Sequence, residues 1–268
     1  MKKNVSAMKT VRIMIAVLTA LSLCGCAKTD DDSLDKVKSE GKLVLGFDEY
    51  YPPMGFRDEE GNITGFDIDL AAEVCRRMGV ELVPKPINWD SKENELNSGS
   101  IDCIWNGLSV SAERAESMNL SKPYMNNDLI FVVKGAGRIR SVADLKGRTV
   151  GTQKGSSSET VLNASDLSRS FSVVYEDDNV TLLEKLEEGT VDAVFLDSIF
   201  AYYYISRNDK ELYILPTVLE TEKIAIGFRK GDDRLRDGVQ EILHQMNSDG
   251  TLKKISDEWF DTDVTTVR

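Results

Sequence analysis

From residue 43 onward, short apolar runs alternate with amphipathic stretches, and this alternation restricts the chain to a layered α/β fold. Residues 43–47 (LVLGF) read as a strand. Residues 66–78 place Leu70, Ala71, Val74, Cys75 and Met78 on one face of a helix, and Gly79 is positioned to stop it. Residues 80–84 form the next strand, 91–98 a short helix ending at Gly99, and 101–105 a buried strand. Strand, helix, strand, helix, strand predicts a mainly parallel sheet with helices on its faces. Between residues 48 and 56, Pro52 and Pro53 stop any helix or central strand, so a loop is expected.

The second half repeats the pattern. Strands are expected at 129–134, 149–152, 171–175, 191–196 and 223–229. Helices are expected at 179–187, 199–206, 233–246 and 252–260. Residues 155–159 (GSSSE) turn from strand into helix, with Ser156 and Glu159 at capping-box spacing. Residues 99–107 (GSIDCIWNG) echo residues 189–197 (GTVDAVFLD), 90 positions apart. The echo reads either as the likeness of any two α/β units or as two similar lobes, each with a small sheet. Ligands of open α/β sheets sit beyond the carboxyl ends of the strands. Facing lobes would therefore direct Gly107 and Asp197 into one cleft.

Residues 101–114 carry the clearest chemistry. A strand at 101–105 enters a polar turn at 106–109, and a helix starts at about Ser111 with Arg114 in its first turn. Backbone N–H groups and the helix dipole favour negative charge there, and an arginine adds a planar fork for a carboxylate. The expectation is a site for the carboxylate of a small ligand. The net charge of −12 and the absence of a basic stripe exclude nucleic acid as a partner. There is no P-loop, no GxGxxG after a strand and no HExxH, and the one histidine, His244, excludes a His-clustered metal site. No cofactor and no metal are expected.

The amino terminus reads as a targeting segment. Lys2, Lys3, Lys9 and Arg12 precede or enter an apolar stretch at 11–23 that is too short and too charged for a membrane span. Residues 23–26 (LCGC) resemble a bacterial lipobox, in which Cys26, after Gly25, is lipidated and becomes the mature terminus. A plain secretory signal with an incidental Cys26 is the alternative. The reading gives a lipoprotein signal peptide at 1–25 and an acidic tether at 26–37. Cys75 and Cys103 are read as two buried thiols, with a disulfide as the alternative that export permits.

Residues 65–71 (GFDIDLA), 90–93 (DSKE), 99–114, 119–124 (NLSKPY), 144–147 (DLKG) and 150–157 together carry a family likeness. The chain resembles the extracytoplasmic solute-binding proteins of polar amino-acid ABC transporters, family 3 type, over roughly residues 43–260. The resemblance implies a two-lobed periplasmic-binding-protein-like (Venus flytrap) α/β fold with chain crossings near 130–134 and 220–228. Lobe 1 would be residues 38–131 plus 225–268, and lobe 2 residues 132–224. It also implies a monomer without enzymatic activity, held outside the cell membrane through a lipid on Cys26. Such a protein would bind a free amino acid and dock on an ABC permease.

Residue by residue, the resemblance makes Arg114 the bidentate partner of the ligand α-carboxylate. Ser109 would offer its N–H to the carboxylate and its hydroxyl to the α-ammonium, beside Asn106 and the Gly107 carbonyl. Asp197 would be the counter-ion of the ammonium, or else an N-cap for the helix after it. Gln153, Ser156 and Ser157 would form the matching turn, with Ser157 meeting the carboxylate and Gln153 near the ligand side chain. Tyr51 and Trp89 would sandwich the ligand, and Asp48 would reach its polar end. Leu196 before Asp197, and Gln153 in place of a lysine, weaken a glutamine assignment. Cystine and arginine or another basic amino acid stay open, as do a sensing receptor domain and a dehydratase-type enzyme on the same fold. The enzyme would need a general acid or base over the ligand.

Overall fold

In the computed structural model, which describes residues 31–208 and 211–268, one hydrogen-bonded sheet runs through both halves of the fold. In the first half, β1 (Lys42–Phe47) pairs in parallel with β5 (Glu81–Pro86) and β6 (Cys103–Ser109). In the second, β9 (Thr149–Gln153) pairs in parallel with β10 (Ser172–Glu176) and β11 (Ala193–Asp197). Between them lie β8 (Met125–Lys134) and β12 (Leu212–Phe228), antiparallel to each other. The former also pairs antiparallel with β11, the latter with β6. The path is β10-β9-β11-β8-β12-β6-β1-β5. The two small sheets expected from the echo are thus joined into one mixed sheet, within the unit Asp32–Arg268.

The echo is structural. Asp102 accepts from Val44 N at 2.9 Å, and Asp192 accepts from Thr149 N at 2.9 Å. In each half an aspartate before the last parallel strand ties it to the start of the first. Helix α2 (Phe66–Met78) follows the expected span, with Phe66, Leu70, Ala71, Val74 and Cys75 buried on one face. Gly79 closes it at φ 77° with N–H bonds to Arg76 O and Cys75 O. A fully buried leucine-sized side chain contributes about 1.5–3 kcal/mol, so this face anchors the first lobe. Cys75 and Cys103 are free, buried thiols.

Four expectations need correction. The acidic tether was expected to reach residue 37, but helix α1 (Ser33–Glu40) starts earlier; Val37 is buried and Ser33 Oγ accepts from Leu235 N at 3.1 Å. Two apolar side chains, Leu34 and Val37, in an acidic run are too few to establish a period. The loop at 48–56 contains two short strands, β2 (Tyr50–Tyr51) and β3 (Gly55–Arg57), which pair with each other, and β3 pairs with β4 (Ile63–Thr64). Pro52 and Pro53 occupy the turn between them, where no ladder donor is needed. The polar turn at 106–109 is the end of β6. Its register with β12 jumps between Leu108↔Ala225 and Ile104↔Gly227, so β6 bulges at 105–107. Finally, β12 was expected only from residue 223. Its first part is a half-exposed ribbon against β8 in which only Leu215 and Glu222 are buried, so its residues look like loop. The expected signal segment and residues 26–30 of the expected tether, Cys26 among them, lie outside the described residues.

Asp67, in the first turn of α2, links this packing to the bulge. It is fully buried and accepts from Gly107 N at 2.8 Å and from Tyr124 Oη at 2.8 Å. Replacing Tyr124 by Phe should lower the unfolding free energy by about 1–3 kcal/mol in urea titrations, because a buried carboxylate loses its donor. An unchanged midpoint would show that Asp67 does not depend on Tyr124.

Candidate functional site

The carboxyl ends of four strands converge on one narrow cavity. Asp48 follows β1, Ser109 ends β6, Gln153 ends β9 and Asp197 ends β11. Tyr51, Trp89, Asn106, Gly107, Arg114, Ser156 and Ser157 complete the lining, so every side chain expected at the site is brought together. Gly107 has φ 60°, and a Cβ there would stand 2.8 Å from Tyr51 Cε1, so the Tyr51 ring packs closely against bare backbone. Phe200 stacks behind that ring at 5.6 Å.

Arg114 does not act through its helix terminus. Helix α4 (Ala112–Ser117) is capped by Ser111, whose Oγ accepts from Arg114 N at 3.1 Å. The guanidinium instead reaches into the cavity, 7% exposed. It donates to Ser109 O at 2.8 Å and to Gly155 O at 3.3 Å. Arginine has five donors, so N–H groups remain for a carboxylate. Burial pushes its pKa down, and the charges of Glu222 and Asp197 oppose that.

Several bonds span the cleft. Gln153 Nε2 donates to Asp48 Oδ2 at 2.7 Å, and Asn179 Nδ2 fixes the other end of the same amide at 3.0 Å. Lys92 Nζ donates to Gly155 O at 2.8 Å, so that carbonyl collects two cations from the first lobe. Gly155 has φ 66°, and a Cβ would meet Asp90 Cα at 2.8 Å. Burial, then the charge of Arg114, lowers Lys92 to about 8.

Asp197 is held up at about 7, first by burial and then by the charge of Glu222; the Tyr51 hydroxyl and Arg114 pull it back. Asp48 is raised to about 6 by burial, against bonds from Tyr50 N and Gln153. The N-cap alternative for Asp197 is replaced: Asn127 Oδ1 accepts from Ile199 N at 3.4 Å and from Ser198 Oγ at 3.3 Å. Asn127 also donates to Asp197. Asp197 is thereby left to face the cavity. Ser156 lines the cavity, but its hydroxyl caps helix α5 (Ser157–Ala164), accepting from Glu159 N and donating to Gln153 O at 2.7 Å. Ser157 Oγ is taken by Glu222 at 2.9 Å. Sequence reasoning missed Glu222, Asn127, Lys92 and Asn179. Glu222, Asn127 and Asn179 reach the site from elements with no local pattern that marks them, and Lys92, although within residues 90–93 (DSKE), is tied to the site through the remote Gly155 carbonyl.

The model of the bacterial extracellular solute-binding proteins, family 3, matches residues 43–262. The L-cystine-binding protein TcyJ of Escherichia coli (strain K12) is 31% identical over 253 residues, covering 94% of each chain. An ABC uptake transporter substrate binding protein from Streptococcus pneumoniae, solved with bound histidine, superposes with a TM-score of 0.86 at 34% identity, over 89% of this chain and 100% of its own. Tv2483 bound to L-arginine gives a TM-score of 0.85 at 30% identity, over 89% and 98%.

Asp48, Asp67 and Asp197 all have folded pKa values, of about 6, 7 and 7, above the ordinary carboxylate range. Between pH 4 and 7 the native state therefore holds more protons than the unfolded chain, and stability falls as pH rises, by up to about 1.4 kcal/mol per pH unit per group. Urea titrations of the ligand-free protein should show this decline between about pH 5 and 7.5. Asp197→Asn should flatten it. A stability that rises across the window would contradict the burial of these acids.

Proposed function

The chain belongs to family 3 of the bacterial extracellular solute-binding proteins, and we propose that it captures a free L-amino acid with a cationic or donor-rich far end for an ABC permease. The observation that carries this reading is the placement of three charges around one cavity. Arg114 stands for the α-carboxylate, Asp197 for the α-ammonium, and Asp48 for the far end of the side chain. Asp48 is aimed by Gln153 from the opposite lobe, so a ligand donor there meets an acceptor already oriented. Tyr51 and Trp89 line the same cavity as its apolar walls. An arriving ammonium favours the ionised form of Asp197, so binding releases a proton near neutral pH.

Arginine fits this pattern with its guanidinium at Asp48. L-cystine fits it with its second ammonium there, and a cystine-binding relative supports keeping both. The lobes are residues 38–131 plus 225–268 and residues 132–224, closing on the ligand by a hinge in β8 and β12. Binding is without chemistry: the cleft acids are taken up by ligand charges and structural bonds. The protein acts outside the cytoplasm, tethered to the membrane through a lipid on Cys26.

Thermal-shift measurement with each amino acid and cystine tests the reading directly, because a ligand that binds only the native state raises Tm. A rise is expected for arginine or cystine, and Arg114→Ala should abolish it. No rise with any amino acid would sink the proposal. Asp48→Asn should weaken arginine roughly tenfold while sparing its uncharged isostere citrulline. An equal loss for both would remove Asp48 from the side-chain site.

A further inference from the structure

Glu222 has been given no role toward the ligand so far. It lies on β12, opposite Asn127 in the register with β8, and is 7% exposed. Its Oε2 accepts from Ser109 Oγ at 2.8 Å and from Ser157 Oγ at 2.9 Å, and the two hydroxyls lie 3.1 Å apart. Ser109 ends β6 in one lobe and Ser157 opens α5 in the other, while Glu222 belongs to the ribbon that joins them. The charged groups that act on Glu222 are Arg114, which attracts it, and Glu220, which repels it; its own charge bears on Asp197.

A serine hydroxyl has one proton to give and two lone pairs to offer. With both protons used within the triad of Glu222, Ser109 and Ser157, neither serine donates to a ligand carboxylate. Ser109 Oγ is left with acceptor capacity on a wall of the cavity, which suits an ammonium and repels a carboxylate. This deepens the amino-acid reading and rests on it.

We propose that Glu222 makes the cavity select ligands bearing an α-ammonium. It draws the hydroxyl protons of Ser109 and Ser157 away from the ligand, and it adds a second buried negative charge to that of Asp197 beside Arg114. It is a positioning residue, acting through Ser109. Without it, Ser109 is free to rotate and donate, and Arg114 is answered by one acid fewer. The carboxylate end of a ligand then gains while the ammonium end loses.

The test is calorimetric titration of the wild-type protein, Glu222→Gln and Glu222→Ala with two ligand pairs. One pair is arginine and 5-guanidinopentanoate, which is arginine without its α-ammonium. The other is cystine and 3,3′-dithiodipropionate. Wild type should prefer the amino acid of at least one pair, and both variants should shrink that preference by roughly tenfold or more. The loss should fall on the amino acid, with the ammonium-free analogue bound as before or more tightly. Ligand-free Tm is measured alongside; the isosteric Gln variant preserves the reading if the Ala variant folds poorly. A purely structural Glu222 would weaken both members of a pair equally, and an unchanged ratio overturns the proposal. Wild type that binds an amino acid no better than its ammonium-free analogue overturns this proposal, whereas wild type that binds neither arginine nor cystine overturns the ligand assignment on which it rests.

Discussion

The pairing of β8 with β12 is the constraint on which the rest of the structure depends. These two strands are the only path by which the sheet passes from one half to the other among the described residues. On one side the latter aligns β6, and on the other the former aligns β11, each antiparallel. That arrangement points the carboxyl ends of the parallel strands of both halves toward the same space. Asp48, Ser109, Gln153 and Asp197 meet there although as many as 149 positions separate the first from the last in the chain. The ribbon also carries two side chains of its own into the site, Asn127 and Glu222. It therefore orients side chains that line the cavity as well as joining the two halves of the sheet.

Much of this was legible in the sequence, for a physical reason that also marks where legibility stops. Helix α2 and the buried strands announce themselves because their apolar periodicity is local. The cavity residues could be named because they cluster at strand ends, and a family likeness assigned roles to those positions. The first part of β12 was not legible: many of its residues face solvent, so residues 217–223 (TVLETEK) carry the composition of a loop. The bulge at 105–107 was read as a turn because only the register with β12, 120 positions away, reveals it as strand. Glu222, Lys92, Asn127 and Asn179 were missed for the same cause. Their importance lies in what they touch, and every partner that matters is remote.

The electrostatics of the cleft follow from crowding acids around few cations. Asp48, Asp197 and Glu222 are buried near Arg114 and Lys92, and each of the three carboxyls is shifted upward first by burial. Each is also hydrogen-bonded, so the desolvation cost is partly offset and the groups remain available to a partner. A site of this kind is poorly satisfied by its own residues. In the proposed reading, cationic groups of the ligand meet these acids and correct the balance, which ties charge selection to the same burial that raises the acids.

Gly155 sets a limit of a different sort. Its left-handed backbone stands where a Cβ would strike Asp90 Cα, so the lobes meet there main chain against main chain. Main chain in regular contact cannot be trimmed or repacked as side chains can. The closed dimensions of the cavity are therefore fixed by a rigid stop, while its chemistry is written by the side chains around it. Over evolutionary change such a protein can exchange one ligand charge pattern for another with few substitutions, but a larger ligand has to prevent the lobes from reaching that stop.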